Sequence, residues 1–461
     1  MKYLHQGAFS VIYISMDNMI EALSFPLPER LENALRAGFI DEAARIIDSL
    51  VCEDIPEALR QRLLLEKMLM HRRAAYYTYS FSQAEEALAA AFKKYEKGML
   101  SSFMTEGLLD WAFINGTVMF EKNLTDNAAK RCAVLREETE REDPDLRKRD
   151  DCIAIAEEKG QVSACVKAEI RLTVTDRSFI GKKAHVNLPF PRMIEGRQYD
   201  IVLDSCSPHL VSIDDETALM RTAVFEKTLE GDDEFFLTFS YRISDSIGSF
   251  PRDEFVAPGM QEYLAQELPH IAFTPYLRAL AEEITSGQST MRGRAEAIYD
   301  WITSHVLYSF VRPYATYDNI SQWAAVNLKG DCGVQAMLFI TLCRISGIPA
   351  AWESGWYVTD EGAWPHDWAR INISGRWFPV DCSFGGGAFR QGCEKRRRHY
   401  FGSLDALRMI ANGACCRTLT GKKALAADPT DNQKGEVEAG GITLTDGIEC
   451  RMSVLSYELQ S

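Results

Sequence analysis

One nearly continuous apolar run constrains the fold of this chain more than any other feature. Residues 334–345 place apolar side chains on every face of a helix, with Val334, Leu338 and Ile345 on one face and Phe339 and Ile340 on the others. A helix that is apolar all round must be enclosed by other elements. The run is also shorter than the roughly 18 uncharged residues of a membrane span. It therefore predicts a buried helix at the centre of a domain, ended by Gly347 and Pro349.

A single thiol stands at the start of this helix. Cys332 is flanked by Gly330 and Gly333, so the backbone around it can turn tightly and admit a substrate. Unpaired N–H groups and the helix dipole favour a thiolate at a helix N-terminus, and the same groups can stabilise an oxyanion. Most cysteines are inert packing residues, and an inert Cys332 stays open on this evidence alone.

Two strands are predicted downstream of the thiol. From Trp364 to Ile373, His366 alternates with Asp367 in the manner of a strand, and Ser374-Gly375 forms a turn into residues 376–381. If the hairpin is symmetric about this turn, Trp368 lies opposite Asp381, with His366 as the diagonal neighbour on the same face. A three-residue loop would shift the register by one and separate His366 from Asp381.

These residue types suit nucleophilic catalysis by a thiol. We expect His366 to take the proton of Cys332 and return it to a leaving amine, while Asp381 fixes the orientation of the imidazole. A lone histidine on a strand is more often structural, but the order of Cys, His and Asp on a helix start and paired strands favours catalysis. His305 and His399 are the alternative bases.

The motifs in this stretch closely resemble the core of the transglutaminase-like superfamily, whose fold is related to papain-type cysteine proteases. The matching motifs are Gly330-Asp331-Cys332-Gly333, residues 342–350, His366-Asp367-Trp368-Ala369, Trp377-Phe378-Pro379-Val380-Asp381 and residues 400–405. The resemblance covers residues 255–412 and implies that Cys332, His366 and Asp381 hold the three catalytic positions. Gln322 and Trp323 are candidates for its additional oxyanion donor by residue type only. The calcium-binding carboxylates of animal transglutaminases are not recognisable.

The remaining chain predicts a multidomain α+β protein. Before residue 150, apolar residues recur at helical spacing, with a hairpin at Asn115-Gly116, whereas residues 160–250 show short strands separated by turns. We therefore expect a helical N-terminal region, a β-sandwich middle domain and a transglutaminase-like (papain-like α+β) core. The predicted boundaries are 20–150, 160–250, 255–425 and, for a C-terminal extension, 426–461.

Composition excludes several classes of function. A net charge of -15 argues against a nucleic-acid-binding face. The basic cluster at residues 395–398 is predicted to be a solvated loop, and Gly385-Gly386-Gly387 a mobile lip beside the site. No pair of cysteines has Cys-x-x-Cys spacing, so a zinc site of ribbon or finger type is not expected.

The cysteine content and the first residues indicate the compartment. Twelve cysteines in 461 residues favour reduced thiols. The start at Met1-Lys2-Tyr3 is mildly apolar but lacks the pattern of a cleaved leader, so we expect a cytoplasmic protein.

The leading functional hypothesis is a cysteine-dependent amide hydrolase that forms an acyl-thioester on Cys332 from peptide or protein substrates. It requires no cofactor or metal and predicts no nucleic-acid or membrane partner. Transfer of the acyl group to an amine, as in a transglutaminase, is the alternative within the same chemistry. A non-catalytic scaffold that binds protein or glycan is the alternative from another class. The oligomeric state is not predicted.

Overall fold

The computed structural model describes residues 23, 25–139, 144–415, 417–424 and 431–460. The stretch at Met1-Lys2-Tyr3, on which the leader prediction rests, lies outside the described residues. Within them, no helix is both long enough and apolar enough to cross a membrane.

The N-terminal region is mainly helical, as predicted, and carries a small antiparallel sheet. Its helices are α1 (Glu29–Arg36), α2 (Ile40–Val51), α3 (Glu57–Ala75), α4 (Phe81–Ala91), α5 (Met99–Thr105), α6 (Leu124–Arg131), α7 (Ala133–Thr139) and α8 (Pro144–Lys159). The sheet has the order β1-β3-β2, with β1 (Tyr77–Ser80), β2 (Trp111–Ile114) and β3 (Thr117–Glu121). The predicted hairpin is confirmed, since Ile114 pairs with Thr117 and both turn residues have positive φ, 49° and 83°.

Two antiparallel sheets form the predicted sandwich. The middle of the chain supplies β4 (Gln161–Val174), β5 (Lys183–Pro189), β6 (Gln198–Cys206), β7 (Leu210–Ile213), β8 (Thr222–Thr228) and β9 (Asp233–Ser246). The C-terminus adds β16 (Glu436–Ala439), β17 (Ile442–Thr443) and β18 (Ile448–Gln460), giving sheet orders β18-β4-β9-β6 and β17-β16-β5-β8-β7. Strand β18 is therefore part of the sandwich, because it pairs with β4 from Ser163 to Val174 and covers the free edge of that strand.

The third section surrounds one buried helix, as the apolar run predicted. Its helices are α9 (Pro275–Thr285), α10 (Met291–His305), α11 (Ile320–Asn327), α12 (Cys332–Ile345), α13 (Cys382–Arg390) and α14 (Glu394–His399). Its strands are the short parallel pair β10 (Leu307–Tyr308) and β11 (Lys329–Gly330), and the sheet β14-β13-β12-β15 formed by β12 (Ala350–Thr359), β13 (Gly362–Ile373), β14 (Arg376–Val380) and β15 (Arg408–Asn412). Almost every residue of α12 is buried, from Cys332 to Arg344.

The β13–β14 hairpin has the register predicted from its symmetry. Ala369 pairs with Val380 and Ile373 with Arg376, which leaves a two-residue turn at Ser374-Gly375. Both turn residues have positive φ, 56° and 83°, as a type I′ turn requires. Trp368 therefore lies across from Asp381, one step beyond the pair of Ala369 and Val380 at the end of the ladder.

The two faces of this sheet meet different partners. Ala369 and Trp352 pack with α12 in one hydrophobic core, whereas Trp368 and Trp356 join the core of the sandwich. Neighbouring residues of a strand point to opposite faces. The sheet is thus covered on both sides, and each side chain of β13 belongs either to the helix side or to the sandwich side.

The prediction of a glycine-rich lip is wrong. Gly385, Gly386 and Gly387 lie within α13. A Cβ at Gly385 would approach the Tyr299 hydroxyl to 1.9 Å, so close packing against α10 requires a glycine there.

The prediction of a solvated basic loop at residues 395–398 holds for the exposed side chains of Lys395 and Arg398, but it is wrong for the two residues between them and for the loop, since all four lie on α14. Arg396 and Arg397 are mostly buried on α14 and form ion pairs with Asp150 and Asp300. These contacts attach α14 to α8 and α10, a structural use of the basic cluster.

Candidate active site

The thiol of Cys332 lies at the first turn of α12, where the sequence placed it. Asp331 caps the helix, its carboxylate accepting a hydrogen bond from the Val334 amide at 3.0 Å. A Cβ at Gly333 would lie 2.3 Å from the Tyr314 hydroxyl and 2.8 Å from Asp367, so this position needs glycine. Cys332 itself is only 9% exposed, and the helix start is therefore enclosed by neighbouring side chains.

The immediate hydrogen-bond partner of the thiol is a carboxylate. Cys332 Sγ donates to Asp367 Oδ2 at 3.2 Å. Burial raises the pKa of Cys332 well above its usual value, and the negative charges of Asp367 and Asp331 raise it further. In this arrangement Cys332 is a neutral thiol, which is the less nucleophilic form.

A segment close to the C-terminal strands covers Asp367. Gln433 Nε2 donates to Asp367 Oδ1 and, at 3.1 Å, to the carbonyl oxygen of His366. Asp431 accepts from the Trp352 indole at 3.2 Å and from the Ser354 hydroxyl. Burial, Asp431 and Asp331 raise the pKa of Asp367. Sequence analysis missed this segment, because nothing in the local pattern around residues 431–433 indicates which surface it covers.

His366 and Asp381 form a second buried group, on the sandwich side of the sheet. His366 Nε2 and Asp381 Oδ2 are 2.7 Å apart. Arg408 Nη2 donates to the same Asp381 oxygen at 3.1 Å, and the Phe384 amide donates to Asp381 Oδ1 at 2.9 Å. Asp381 is fully buried, so these donors satisfy a carboxylate that would otherwise be costly to bury.

The charges around this pair set its protonation. Burial alone would raise the pKa of Asp381, but His366 and Arg408 more than offset it and hold that pKa below its usual value. Burial lowers the pKa of His366, against the pull of Asp381. The Phe384 ring stacks on the imidazole with centroids 4.4 Å apart, which fixes the plane of the ring. The arrangement is an ionised Asp381 that orients a largely neutral imidazole.

The structure brings together two of the three predicted site residues directly. Within the described residues, no hydrogen bond joins Cys332 to His366. The thiol contacts Asp367, whereas the imidazole of the preceding residue contacts Asp381 on the other side of the strand. His366 Nδ1 is the ring nitrogen not used by Asp381.

The other sequence candidates lie in structural contacts. Trp323 packs against the Tyr317 ring at 4.9 Å. His399 Nε2 lies 2.6 Å from the Leu404 carbonyl oxygen, and His305 Nδ1 lies 2.9 Å from that of Trp301. Gln322 donates its backbone amide to the Asn319 cap of α11. None of these contacts involves Cys332.

Among the side chains that the structure describes, no group of three or more His, Cys, Asp or Glu residues has an arrangement that could hold a metal ion. Asp331 and Asp367 lie beside Cys332 and Asp431 lies near Asp367, but Tyr314, Gln433 and Trp352 donate hydrogen bonds to these three carboxylates. These carboxylates therefore already have protein donors as partners.

Comparison with known proteins identifies the domain that carries this site. Residues 278–382 match the family model described as the transglutaminase-like superfamily. No curated protein matches the sequence.

Solved structures similar to this chain include a proposed cysteine protease from Cytophaga hutchinsonii, with 14% identity, a TM-score of 0.41 and coverage of 65% of this chain and 98% of that chain. The periplasmic domain of TgpA from Pseudomonas aeruginosa has 14% identity, a TM-score of 0.28 and coverage of 53% and 95%. The family match covers α12, His366 and Asp381 together. Residues 278–382 of this chain form a transglutaminase-like domain.

Proposed function

We propose that this chain is a cysteine-dependent amide hydrolase in which Cys332 is the nucleophile, His366 the general acid and base, and Asp381 the residue that orients His366. The observation that carries the proposal is the buried His366–Asp381 pair at 2.7 Å, on the strand that also contacts the thiol. Asp381 uses His366 Nε2, so Nδ1 is the nitrogen that exchanges protons with sulfur and substrate. The transglutaminase-like domain supports the same assignment.

The proposed reaction has two halves. His366 takes the Cys332 proton, sulfur bonds to the carbonyl carbon of the amide, and the C–N bond breaks as His366 returns the proton to the leaving amine. The product is an acyl-thioester on Cys332. Water then attacks this thioester with His366 again as base, releasing a carboxylic acid and the free thiol. The N–H groups of the first turn of α12 are the candidates for stabilising the oxyanion.

Catalysis by these residues requires a rearrangement of β13. In the resting arrangement Cys332 donates to Asp367 on the helix side of this strand, whereas His366 lies on the sandwich side, so the strand must move to bring the imidazole to the sulfur. Substrate binding is the expected cause, because a peptide that reaches Cys332 has to displace the side chains that enclose it. The hydrolase is therefore proposed to rest in a protonated, poorly reactive form.

Two other functions are candidates. Transfer of the acyl group to a primary amine uses the same residues and differs only in the acceptor. A protein- or glycan-binding scaffold is favoured by one specific observation, the neutral thiol held by Asp367 instead of His366. Covalent capture of an acyl group on Cys332 would separate both enzymes from the scaffold.

The partners follow from charge and cysteine chemistry. We propose peptide or protein substrates and neither a nucleic-acid nor a membrane partner, since the chain carries a net charge of -15. The described cysteines are free thiols. Free thiols support a reducing compartment such as the cytoplasm.

The decisive experiment uses a peptide library presented as activated esters to the full chain. We expect acylation of Cys332, detected by mass spectrometry of its peptide, and none in Cys332→Ala. His366→Ala should slow acylation by about 10²–10⁴-fold. Cys393→Ala, which removes a partly exposed thiol elsewhere, is the matched control and should behave as wild type. Adding a labelled primary amine then distinguishes hydrolysis of the acyl-thioester from transfer to an amine. If Cys332 is not acylated, the non-catalytic scaffold is the remaining hypothesis.

A further inference from the structure

The loop that follows β10 determines what surrounds the thiol. Tyr308 pairs with Gly330 in the β10–β11 ladder, and burial together with the adjacent Cys332 raises the pKa of the Tyr308 phenol. Six residues later, the Tyr314 hydroxyl donates to Asp331, the cap of α12. The two tyrosines thus enclose Cys332 from the two ends of one loop, residues 309–313.

A residue of the N-terminal region holds the middle of this loop. Asn127, on α6, forms two hydrogen bonds with the backbone of Phe310: the Phe310 amide donates to Asn127 Oδ1 at 2.8 Å, and Asn127 Nδ2 donates to the Phe310 carbonyl at 3.0 Å. Asn127 is completely buried. A single side chain therefore hydrogen-bonds both backbone groups of one loop residue, whose carbonyl oxygen also accepts from the Ser309 hydroxyl at 3.0 Å.

Glu121 fixes the orientation of the Asn127 amide. Asn127 Nδ2 also donates to Glu121 Oε2, so a flipped amide would place two oxygens against each other. Glu121 is itself held by the Tyr76 hydroxyl at 2.9 Å and the Asp110 amide at 2.8 Å. Every one of these groups belongs to the N-terminal region. The orientation of the Asn127 side-chain amide is therefore fixed by residues of that region and does not depend on the loop.

Two further contacts attach the same region to the residues around the thiol. Arg131 Nη1 donates to the Ser309 hydroxyl at 3.3 Å. Lys329 Nζ, three residues before Cys332, donates to the Gly107 carbonyl at 3.1 Å. Both segments that lead to the site are therefore bound to the N-terminal region through buried side chains.

We propose that Asn127 is a positioning residue of the Cys332 site, and that the N-terminal region holds the loop between Tyr308 and Tyr314 against the thiol. The inference rests on the proposed function, because it assigns the region a part in controlling the nucleophile. Under this proposal α6 and β3, which are far from Cys332 in the sequence, help to position the loop beside the thiol. Asn127 acts through Phe310 and the two tyrosines and does not touch the thiol.

The test compares Asn127→Ala with Asn187→Ala in the full chain. Asn187 is a matched control, since it is equally buried and donates to Thr222 and Thr420, but it lies in the sandwich. Hydrogen exchange of the Phe310 amide should rise about tenfold or more in Asn127→Ala and stay unchanged in Asn187→Ala. Iodoacetamide labelling of Cys332, followed by mass spectrometry across pH, should accelerate with a lower pH midpoint in Asn127→Ala alone, because the thiol becomes better solvated.

Faster Phe310 exchange with an unchanged pH profile of Cys332 labelling would overturn the proposal, since the loop would then not govern the thiol. Tyr76→Phe provides a milder variant that keeps the packing and removes both a donor to Glu121 and a 3.5 Å hydrogen bond to the Phe310 carbonyl. It should shift both readouts in the same direction. Failure of the proposed hydrolase appears instead in the wild-type chain, as absence of Cys332 acylation. The two failures are therefore distinguishable.

Discussion

Cys332 Sγ and Asp367 Oδ2 lie 3.2 Å apart, so the thiol is hydrogen-bonded to the carboxylate that directly follows the expected base. A negative charge at this distance opposes formation of a thiolate. Asp367 therefore holds the nucleophile in its protonated form for as long as this contact persists.

Replacement of Asp367 by Asn should make Cys332 more reactive. The amide oxygen can still accept the thiol hydrogen bond, but the carboxylate charge that raises the pKa of Cys332 is lost. Because burial, Asp431 and Asp331 raise the pKa of Asp367 itself, the difference from wild type should grow as the pH rises and Asp367 ionises. A fall of one pKa unit gives about tenfold more thiolate at a pH below the midpoint. The rate of iodoacetamide labelling of Cys332 between pH 6 and 9 measures the shift.

The matched control is Asp204→Asn, which removes a carboxylate from strand β6 of the sandwich. It should leave the labelling profile of Cys332 unchanged. A profile that is the same in Asp367→Asn and wild type would mean that no charge on Asp367 acts on the thiol, and would contradict the prediction.

Two glycines of helix α13 should respond oppositely to alanine. In Gly385→Ala the new Cβ would meet the Tyr299 hydroxyl at 1.9 Å, so backbone or ring must shift, at a cost of about 1–3 kcal/mol. At Gly387 no atom lies within 4 Å of the added Cβ, so Gly387→Ala should raise the free energy of unfolding by about 0.5–1 kcal/mol. Urea denaturation of both variants measures the difference, and equal destabilisation would contradict the packing described for α13.

His270 should make the protein less stable in mild acid. It is 2% exposed, and burial lowers its pKa to about 4. The unfolded chain binds a proton near pH 6.5 and the folded chain does not, so the contribution is complete above pH 6.5 and is lost as pH falls towards 4, by about 3 kcal/mol in all. His270→Gln should flatten the decline of the urea midpoint over this range, whereas exposed His71→Gln should follow wild type.

Local sequence pattern was sufficient for the elements that carry the site. The buried helix after Cys332 follows from apolar residues on all its faces. The hairpin register follows from symmetry about a two-residue turn at Ser374-Gly375, the alternative to a three-residue loop. Strand alternation also predicted that His366 and Asp367 point to opposite faces. Alternation could not tell which face of the strand packs against α12, because it shows only which side chains share a face and not which element covers that face.

Contacts between distant segments were beyond that pattern. Gln433 reaches Asp367, and Asn127 reaches Phe310, through single polar side chains with no periodic signal. The C-terminal strand β18 was expected in a separate extension because its pairing with β4 depends on the free edge that the sandwich presents. Each of these features is a contact between two distant segments, and the residues of one segment alone do not specify which other segment they will contact.

Replacement of Asp381 by Asn should weaken both the fold and the activity. The change leaves Arg408 with Asp405 alone in a fully buried site, and breaking such a buried pair costs about 3–5 kcal/mol. The pKa of Asp381 is depressed in the folded chain, so its contribution is complete above its unfolded pKa of about 4 and is lost as pH falls below that value. Wild type should therefore lose more stability between pH 6 and 3 than Asp381→Asn, measured by urea unfolding at each pH.

The same variant tests the activity. Asn can still accept a hydrogen bond from His366 Nε2 but no longer stabilises an imidazolium, so acylation of Cys332 should slow to nearly the rate of His366→Ala. Acylation of Asp381→Asn at the wild-type rate would remove Asp381 from the proposed site.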